Sequence, residues 1–296
     1  MRRRSSCHRR DVSQDVVVEG LKRQWAQYWP EADVEAMARD VHARAAVAIE
    51  AWNLQQVRPM TGGNVALVLA SDDVVLKVHP RGHLDDEQLA AEGTALAAWA
   101  QTRAAPELVG RRDGGFTLLL ERLVPGTPLD AADVSWEERL EVLGTLAGGL
   151  HGASTSVTES VPHIGGAYAR AWRRVLGDSP LLDPADDDVL LHADLHGANA
   201  LRHGAGWRVI DPHAVRGDRH ADVWALIDPL VPTPPDARTA WSWVERYTAA
   251  ADLDVSRAAA WVRLRARGEA LNGADGDTAW AARLVRMAEL LQTCGN

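Results

Sequence analysis

The sequence predicts an α+β fold of two lobes, a small β-rich lobe followed by a larger helical one. Short apolar runs separated by turn residues occupy much of the stretch 53–124, which is typical of strands joined in hairpins. Beyond residue 125, apolar residues recur at helical spacing. A chain of 296 residues with 46% hydrophobic residues can bury a substantial core, as one large domain or two modest ones.

The N-terminal region divides into a tip and a helical extension. Residues 1–15 are polar and rich in arginine, and we expect them to be disordered. In residues 16–52, Leu21 and Trp25 begin a helical spacing that Pro30 interrupts and that then resumes. No apolar run has the length of a secretory signal or a membrane span, so the sequence predicts a cytoplasmic protein.

Residues 53–124 form the predicted N-lobe. One hairpin joins 65–69 to 74–78, and a second joins 108–109 to 116–120. The residues between the two hairpins are expected to form a helix.

Lys77 and Glu92 are charged residues at positions expected to be buried. Lys77 lies in an apolar strand, and Glu92 shares a helical face with Leu89, Leu96 and Trp99. Burying an isolated charge is costly, which argues for a partner, and the two residues resemble the kinase ion pair that holds a lysine on nucleotide phosphates. The alternative is a lysine at the strand end and a glutamate at the helix edge, both reaching solvent.

The predicted C-lobe spans residues 125–296. A first helix follows from the apolar stripe that begins at Trp136, and 232–235, rich in proline, is a loop between helices or a short linker. The junction 121–125 is the expected hinge, and a cleft between two lobes is a usual place for a ligand.

The most informative motif is His192-Ala-Asp194-Leu-His-Gly-Ala-Asn199, followed after a short predicted hairpin by Asp211. At this spacing Asp194 can orient a hydroxyl nucleophile, while the Asn199 amide oxygen and the Asp211 carboxylate hold magnesium on a triphosphate. Magnesium prefers such hard oxygen ligands. The sequence therefore predicts phosphoryl transfer that uses ATP and Mg²⁺.

Two other classes of function remain open at this point, a metal-dependent hydrolase and a nucleotide-binding module without catalysis. The His192, Asp194, His196, Asp211 and His213 side chains could form the site of a metal-dependent hydrolase. That alternative explains neither the charged pair nor the β-rich lobe that precedes the motif.

The chain resembles the aminoglycoside phosphotransferase superfamily, and within it the streptomycin 6-phosphotransferase branch of aminoglycoside/hydroxyurea resistance kinases. The resemblance runs from about residue 40 to 290 and departs from the family at Ala193 and Arg219. It rests on the following segments: 51–54, 118–123, 191–201, 207–218, 222–224 and 271–277.

The resemblance implies a protein-kinase-like fold and roles for further residues. Main-chain groups at Glu121 and Leu123 would contact adenine, and His192 and Asp222 would support the loop, although Asp222 is also suited to cap a helix. The substrate wall would comprise acidic and amide side chains: Asp218, Glu269, Asn272, Asp275 and Asp277. A solvated loop before the last helix is the alternative.

The charge balance bears on the acceptor. A formal charge of -9 and a sequence pI near 5.6 repel nucleic acids and attract cationic small molecules, although an acidic surface also serves solubility. We expect a monomer that acts on no nucleic acid or membrane. The predicted function is phosphorylation of a hydroxyl on an aminoglycoside of the streptomycin type, with a kinase of an endogenous sugar or amino alcohol as the alternative.

Overall fold

A computed structural model describes residues 14–60, 65–82, 86–152, 161–166, 172–173, 177–271 and 276–292. Asn272, Asp275 and all but the last two residues of the predicted tip lie outside these ranges. The chain divides into two compact units. We call residues up to 86 with 108–122 the sheet unit, and residues 87–107 with 123–296 the helical unit.

The sheet unit contains a five-stranded antiparallel sheet in the order β1-β2-β3-β5-β4. Its strands are β1 Arg58–Pro59, β2 Leu67–Ala70, β3 Val74–Val78, β4 Leu108–Arg112 and β5 Thr117–Glu121. Both predicted hairpins are confirmed. They share one sheet because β3 pairs with β5, where Lys77 lies opposite Leu118.

Two helices complete the sheet unit, α1 Gln14–Tyr28 and α2 Val34–Ala51. The first begins two residues inside the predicted tip. Asp33 caps α2 by accepting a hydrogen bond from the Ala36 N–H at 2.9 Å, which satisfies one of the helix's free amide groups. The apolar faces of both helices share a buried core with β2, β3 and β5, so the helical extension is part of this unit.

Arg44 connects α2 to the ends of β3 and β5. Its guanidinium pairs with Asp40 at 2.7 Å and donates to the Thr117 hydroxyl at 3.1 Å and to the His79 carbonyl. The side chain is buried, so these partners compensate for its desolvation. They also hold the chain two residues beyond Lys77.

The helical unit contains five α-helices and two small sheets among its described residues. The helices are α3 Asp86–Ala98, α4 Trp136–His151, α5 Ala237–Ala251, α6 Val255–Leu271 and α7 Thr278–Leu290. One sheet has the order β6-β8-β9 and the other pairs β7 with β10. Their strands are β6 Pro125–Pro128, β7 Val189–Leu191, β8 Ala200–His203, β9 Gly206–Val209 and β10 Val215–Gly217.

Residues 87–107 group with the helical unit, whereas the sequence pattern predicts them in the β-rich lobe. The physical reason is a set of contacts near the predicted catalytic loop. Trp99 stacks on His192 with ring centroids 6.3 Å apart, and the Ala104 carbonyl accepts a hydrogen bond from the Val209 N–H at 2.7 Å. Within the described part of the chain, every helix is too short or too polar to cross a membrane.

Candidate active site

The predicted loop, residues 192–199, lies between buried β7 and β8 in the helical unit. It ends in a turn of 3-10 helix, and β8 then pairs with β9 as a hairpin. The Ile210 N–H donates to the Asn199 carbonyl at 2.8 Å, so the hairpin returns the chain to the end of the loop. Asp211 is the next residue and is exposed.

Asp194 and Asn199 are joined directly. The Asn199 side-chain Nδ2 donates to the Asp194 carbonyl at 3.0 Å and to its carboxylate Oδ2 at 3.1 Å. Asn199 is buried, so this amide has few alternative orientations. Because the side-chain nitrogen of Asn199 donates to Asp194, the side-chain oxygen is the atom that can bind a metal ion or accept a further hydrogen bond.

Asp222 holds the first residues of the loop. Its carboxylate accepts hydrogen bonds from the His192 N–H at 3.0 Å and the Ala193 N–H at 2.8 Å, and contacts His151 Nε2 at 3.2 Å. Burial alone would raise the pKa of Asp222, but these donors outweigh it and keep its pKa below the usual value. Asp222 is therefore ionised where it binds the loop.

The main chain of Asp222 is held from the opposite side. Its carbonyl accepts a hydrogen bond from the Tyr247 hydroxyl of α5. A Cβ at Gly144 of α4 would lie 2.4 Å from the Tyr247 carbonyl oxygen, so only glycine lets α5 approach this closely. Burial raises the pKa of Tyr247 well above its ordinary value, which keeps the hydroxyl protonated as a donor.

The ring of His192 is fully buried. It stacks on Trp99, and its Nε2 lies 3.0 Å from the Ile210 carbonyl. Burial lowers the pKa of His192, so the ring is neutral at physiological pH. These contacts connect the start of the loop to the end of the hairpin.

A second imidazole, His196, lies among carboxylates. Its Nε2 is 3.5 Å from Asp194 Oδ2, and its Nδ1 is 3.8 Å from Asp228. Burial lowers the pKa of His196, but the hydrogen bond and charge of Asp194, with the charges of Asp228 and Asp130, raise it above the usual value. The surrounding carboxylates thus favour the protonated form of the His196 ring.

The two carboxylates beside His196 differ in their titration. Burial would raise the pKa of Asp194, but the charge of His213 and the hydrogen bond and charge of His196 lower it. Asp194 is therefore an ionised hydrogen-bond acceptor. Burial raises the pKa of Asp228, and the hydrogen bond from the Leu230 N–H and the charge of His196 are too weak to offset it.

Asp218, predicted to contact substrate, is surrounded by donors of its own chain. Its carboxylate accepts from the side chains of Arg257 at 2.6 Å and Trp261 at 2.7 Å, and from the main chain and ring of His220. These bonds occupy its acceptor positions. They favour a structural role over contact with substrate.

The other predicted residues are placed as follows. Lys77 on β3 and Glu92 on α3 are both buried, but they belong to different units, so their pairing stays a prediction. Glu121 ends β5, Leu123 is buried, and Glu269 is half-buried on α6. Asp277 caps α7 by accepting from the Trp280 N–H at 2.8 Å.

Several site residues were missed by sequence reasoning. His151, Tyr247 and Arg265 come from three different helices and contact the loop or Asp222. Of the three, Arg265 could have been found from the sequence, because it is a charged residue on the apolar face of α6 with Ala258 and Val262. The same argument identified Glu92.

The described residues contain no cluster of three histidine, cysteine, aspartate or glutamate side chains arranged to hold a metal ion. The alternative, a metal-dependent hydrolase, would need such a cluster. Its first candidate ligand, His192, has its ring between Trp99 and the Ile210 carbonyl instead. The amide, carboxylate and phosphate oxygens of a kinase site require no such cluster.

Comparison with known proteins supports the same class. Residues 167–276 match the family model described as aminoglycoside/hydroxyurea antibiotic resistance kinase, a stretch of little more than a third of the chain that includes the loop, Asp211 and Asp222. The match supports the resemblance to aminoglycoside phosphotransferases, and the streptomycin branch stays a prediction. No curated protein sequence is detectably similar to the chain.

Solved kinases share the fold. A choline/ethanolamine kinase family protein from Mesorhizobium loti has 16% identity and a TM-score of 0.59, over 87% of this chain and 96% of its own. Choline kinase LicA from Streptococcus pneumoniae has 10% identity and a TM-score of 0.57, over 85% and 99%. The ternary complex of APH(2")-IIa with streptomycin and ATP has 10% identity and a TM-score of 0.56, over 85% and 97%.

These likenesses confirm the predicted kinase-like α+β fold. The matched family and these structures are kinases by description, in agreement with the enzyme class predicted from the sequence.

Proposed function

We propose that the protein transfers the γ-phosphoryl group of ATP to a hydroxyl of a small molecule. The observation that carries this proposal is the geometry of Asp194, an ionised carboxylate whose orientation is set by the Asn199 amide. Asp194 follows a peptide segment that buried Asp222 holds through two hydrogen bonds. A carboxylate held in this way can accept the hydrogen of an acceptor hydroxyl and align its oxygen for in-line attack.

Catalysis by this site would rest on positioning and electrostatics. Phosphoryl transfer through a loose transition state demands little covalent chemistry from the protein. A loop fixed by several buried hydrogen bonds has less freedom to lose when the reactants align. The bonds from Asn199, His192 and Ala193 supply that order.

A magnesium ion fits the residues present. Asn199 uses its side-chain nitrogen on Asp194, so its oxygen is oriented away from that bond, and Asp211 contributes a carboxylate at the end of the same hairpin. This hard-oxygen donor set suits Mg²⁺, which completes its shell with water and phosphate. When bound, the ion would neutralise charge on the transferred phosphoryl group.

The nucleotide contacts are assigned to Lys77, Glu92, Glu121 and Leu123. Lys77 is only 7% exposed and Glu92 only 2%, so both are buried charges of the kind that a kinase uses to hold phosphates. The main chain at Glu121 and Leu123 would contact the adenine edge. Each assignment follows the resemblance to kinases.

We propose an aminoglycoside of the streptomycin type as acceptor. The charges of Asp130, Asp194 and Asp228 all raise the pKa of His196, and a group of acidic side chains in this part of the helical unit favours a cationic ligand. The family match supports the same class of acceptor. The proposed substrate wall consists of Glu269, Asn272 and Asp275. Asp218 is not included, because its carboxylate is already bound by side chains of this chain.

The test is a screen of purified protein with ATP and Mg²⁺ against aminoglycosides and against metabolites with hydroxyl and amino groups, read by ADP release. We expect streptomycin or a close relative to give the highest kcat/KM. Turnover confined to an amino alcohol or sugar would replace the acceptor but keep the kinase. Absence of acceptor-dependent ADP release would contradict the phosphotransferase.

Metal dependence separates the kinase from the hydrolase. Removal of Mg²⁺ by EDTA should abolish transfer, and added Mg²⁺ should restore it. A zinc-selective chelator should leave the rate unchanged. Loss of activity with that chelator, restored by zinc alone, would favour the hydrolase.

A further inference from the structure

Arg265 is a fully buried arginine on α6, beneath the loop that carries Asp194. Its Nη2 donates to the Ala193 carbonyl and its Nη1 donates to the Ala221 carbonyl, both at 3.0 Å. One guanidinium therefore connects the residue before Asp194 to the residue before Asp222. Such a bidentate contact needs the planar fork of arginine.

The peptide that Arg265 contacts has an unfavourable backbone conformation. Ala193 has φ of 61°, in the left-handed region that residues with a Cβ rarely adopt. Its N–H donates to Asp222 Oδ1 at 2.8 Å and its carbonyl accepts from Arg265. Ala193 is thus held on both sides, and the direction in which the chain leaves toward Asp194 depends on both bonds.

The guanidinium itself contacts two aromatic rings. Its central carbon lies 4.9 Å from the centroid of Trp224 and 5.6 Å from that of Trp172. A Cβ at Gly268, three residues further along α6, would lie 2.5 Å from the Trp172 ring, so glycine is needed for that ring to reach its place. Cation–π contact with two rings lowers the cost of burying the charge.

We propose that Arg265 is a positioning residue for phosphoryl transfer, which stabilises the left-handed Ala193 peptide and so sets the orientation of Asp194. This inference rests on the proposed function, because it assigns the loop a catalytic role. Arg265 does not touch the acceptor or the nucleotide in this assignment. It acts through the main chain of Ala193 and Ala221, the residues just before Asp194 and Asp222.

The experiment compares Arg265→Lys and Arg265→Met with Arg267→Met, which makes the same change at an exposed position of the same helix. With streptomycin, ATP and Mg²⁺, we expect kcat of both Arg265 variants to fall about 100-fold, as a small misplacement of a reacting group does. The KM for ATP should stay near the wild-type value. Arg267→Met should match the wild type in both constants.

Adding Ala193→Gly to Arg265→Lys provides a rescue, since glycine adopts positive φ without the strain of a Cβ. We expect Arg265→Lys to lower kcat by a smaller factor in the Ala193→Gly background than in the wild-type background. A role for Arg265 in stability alone predicts no such recovery. The lysine variant retains the charge, so it remains informative if the methionine variant does not fold.

Hydrogen exchange provides a readout independent of turnover. The amides of His192 and Ala193 should exchange faster in the Arg265 variants, while amides of α4 and α5 keep their protection. Unchanged kcat, unchanged exchange at these two amides, or a uniform rise throughout the helical unit would each overturn the proposal. If the wild-type protein phosphorylates nothing, the phosphotransferase fails while exchange still decides the role of Arg265.

Discussion

The side chain of Asn199 holds Asp194 at two points, because its Nδ2 donates to the Asp194 carbonyl at 3.0 Å and to the carboxylate at 3.1 Å. The amide therefore fixes the backbone and the side chain of the proposed base together. Because the nitrogen is used in these bonds, the side-chain oxygen is the atom that would bind the proposed metal ion. In the proposed function, the orientation of the acceptor hydroxyl and the binding of the metal would both depend on Asn199.

Replacing Asp194 with asparagine should lower kcat by about 1,000-fold, because the amide cannot accept the hydroxyl proton as a carboxylate does. Binding of an ATP analogue, measured by calorimetry, should change little. Asp187→Asn, at an exposed position just before β7, is the matched control. Undiminished turnover in Asp194→Asn would refute the role assigned to Asp194.

Asn199→Ala should impair two properties at once. The variant loses the bonds that orient Asp194 and also the proposed metal ligand, so we expect a lower kcat together with a higher Mg²⁺ concentration for half-maximal activity. Asp194→Asn should change kcat alone. Identical Mg²⁺ titrations for Asn199→Ala and the wild type would remove Asn199 from the proposed metal site.

Asp211→Asn tests the second proposed ligand. A neutral amide is a weaker ligand for Mg²⁺ than a carboxylate, so binding of ATP should require more magnesium while binding without magnesium stays the same. The measurement is a magnesium titration of nucleotide affinity. We expect a change of about tenfold, equivalent to about 1.4 kcal/mol, and an unchanged titration would argue against the kinase assignment.

Tyr247→Phe removes the hydroxyl that donates to the Asp222 carbonyl. We expect a loss of about 1 to 2 kcal/mol in the free energy of unfolding, as for a buried hydrogen bond whose acceptor is left unsatisfied. Activity should fall less than in Asp194→Asn, since the Asp222 carboxylate keeps its own partners. Denaturant unfolding measures the loss, and Tyr28→Phe at an exposed position is the control.

The local sequence pattern predicted those helices and strands that are determined by residues close together in the sequence. The hairpin turns, the buried strands and the stripe of α4 all follow from residues close in sequence. The grouping of residues 87–107 with the helical unit could not be predicted in this way. It depends on Trp99 meeting His192, which is 93 residues away.

The site divides in the same manner. Asp194, Asn199 and Asp211 are predicted from sequence because phosphoryl transfer requires these residue types at a fixed spacing, and their roles stay predictions. Tyr247 and His151 are not predicted, since a tyrosine or histidine on a helix carries no sign of its partner. Asp218 shows the reverse case, in which a motif identified the residue but its contacts with Arg257, Trp261 and His220 favour a different role.

The Asp218 cluster predicts a specific dependence of stability on pH. Burial would raise the pKa of Asp218, but hydrogen bonds from His220, Trp261 and Arg257 lower it far below its usual value. In the unfolded chain the group titrates near 3.9, so its stabilising effect is complete above about pH 5 and is lost as the pH falls below about 4.

Asp218→Asn should therefore cost about 1.5 to 3 kcal/mol at pH 7, the range for hydrogen bonds to a charged group. The difference in unfolding free energy between wild type and variant should shrink steadily as the pH falls from about 4 toward 2, since the wild-type advantage depends on the carboxylate being ionised. Urea unfolding at a series of pH values measures both. A difference that stayed constant over this range would mean that packing, rather than the charge of Asp218, stabilises the cluster.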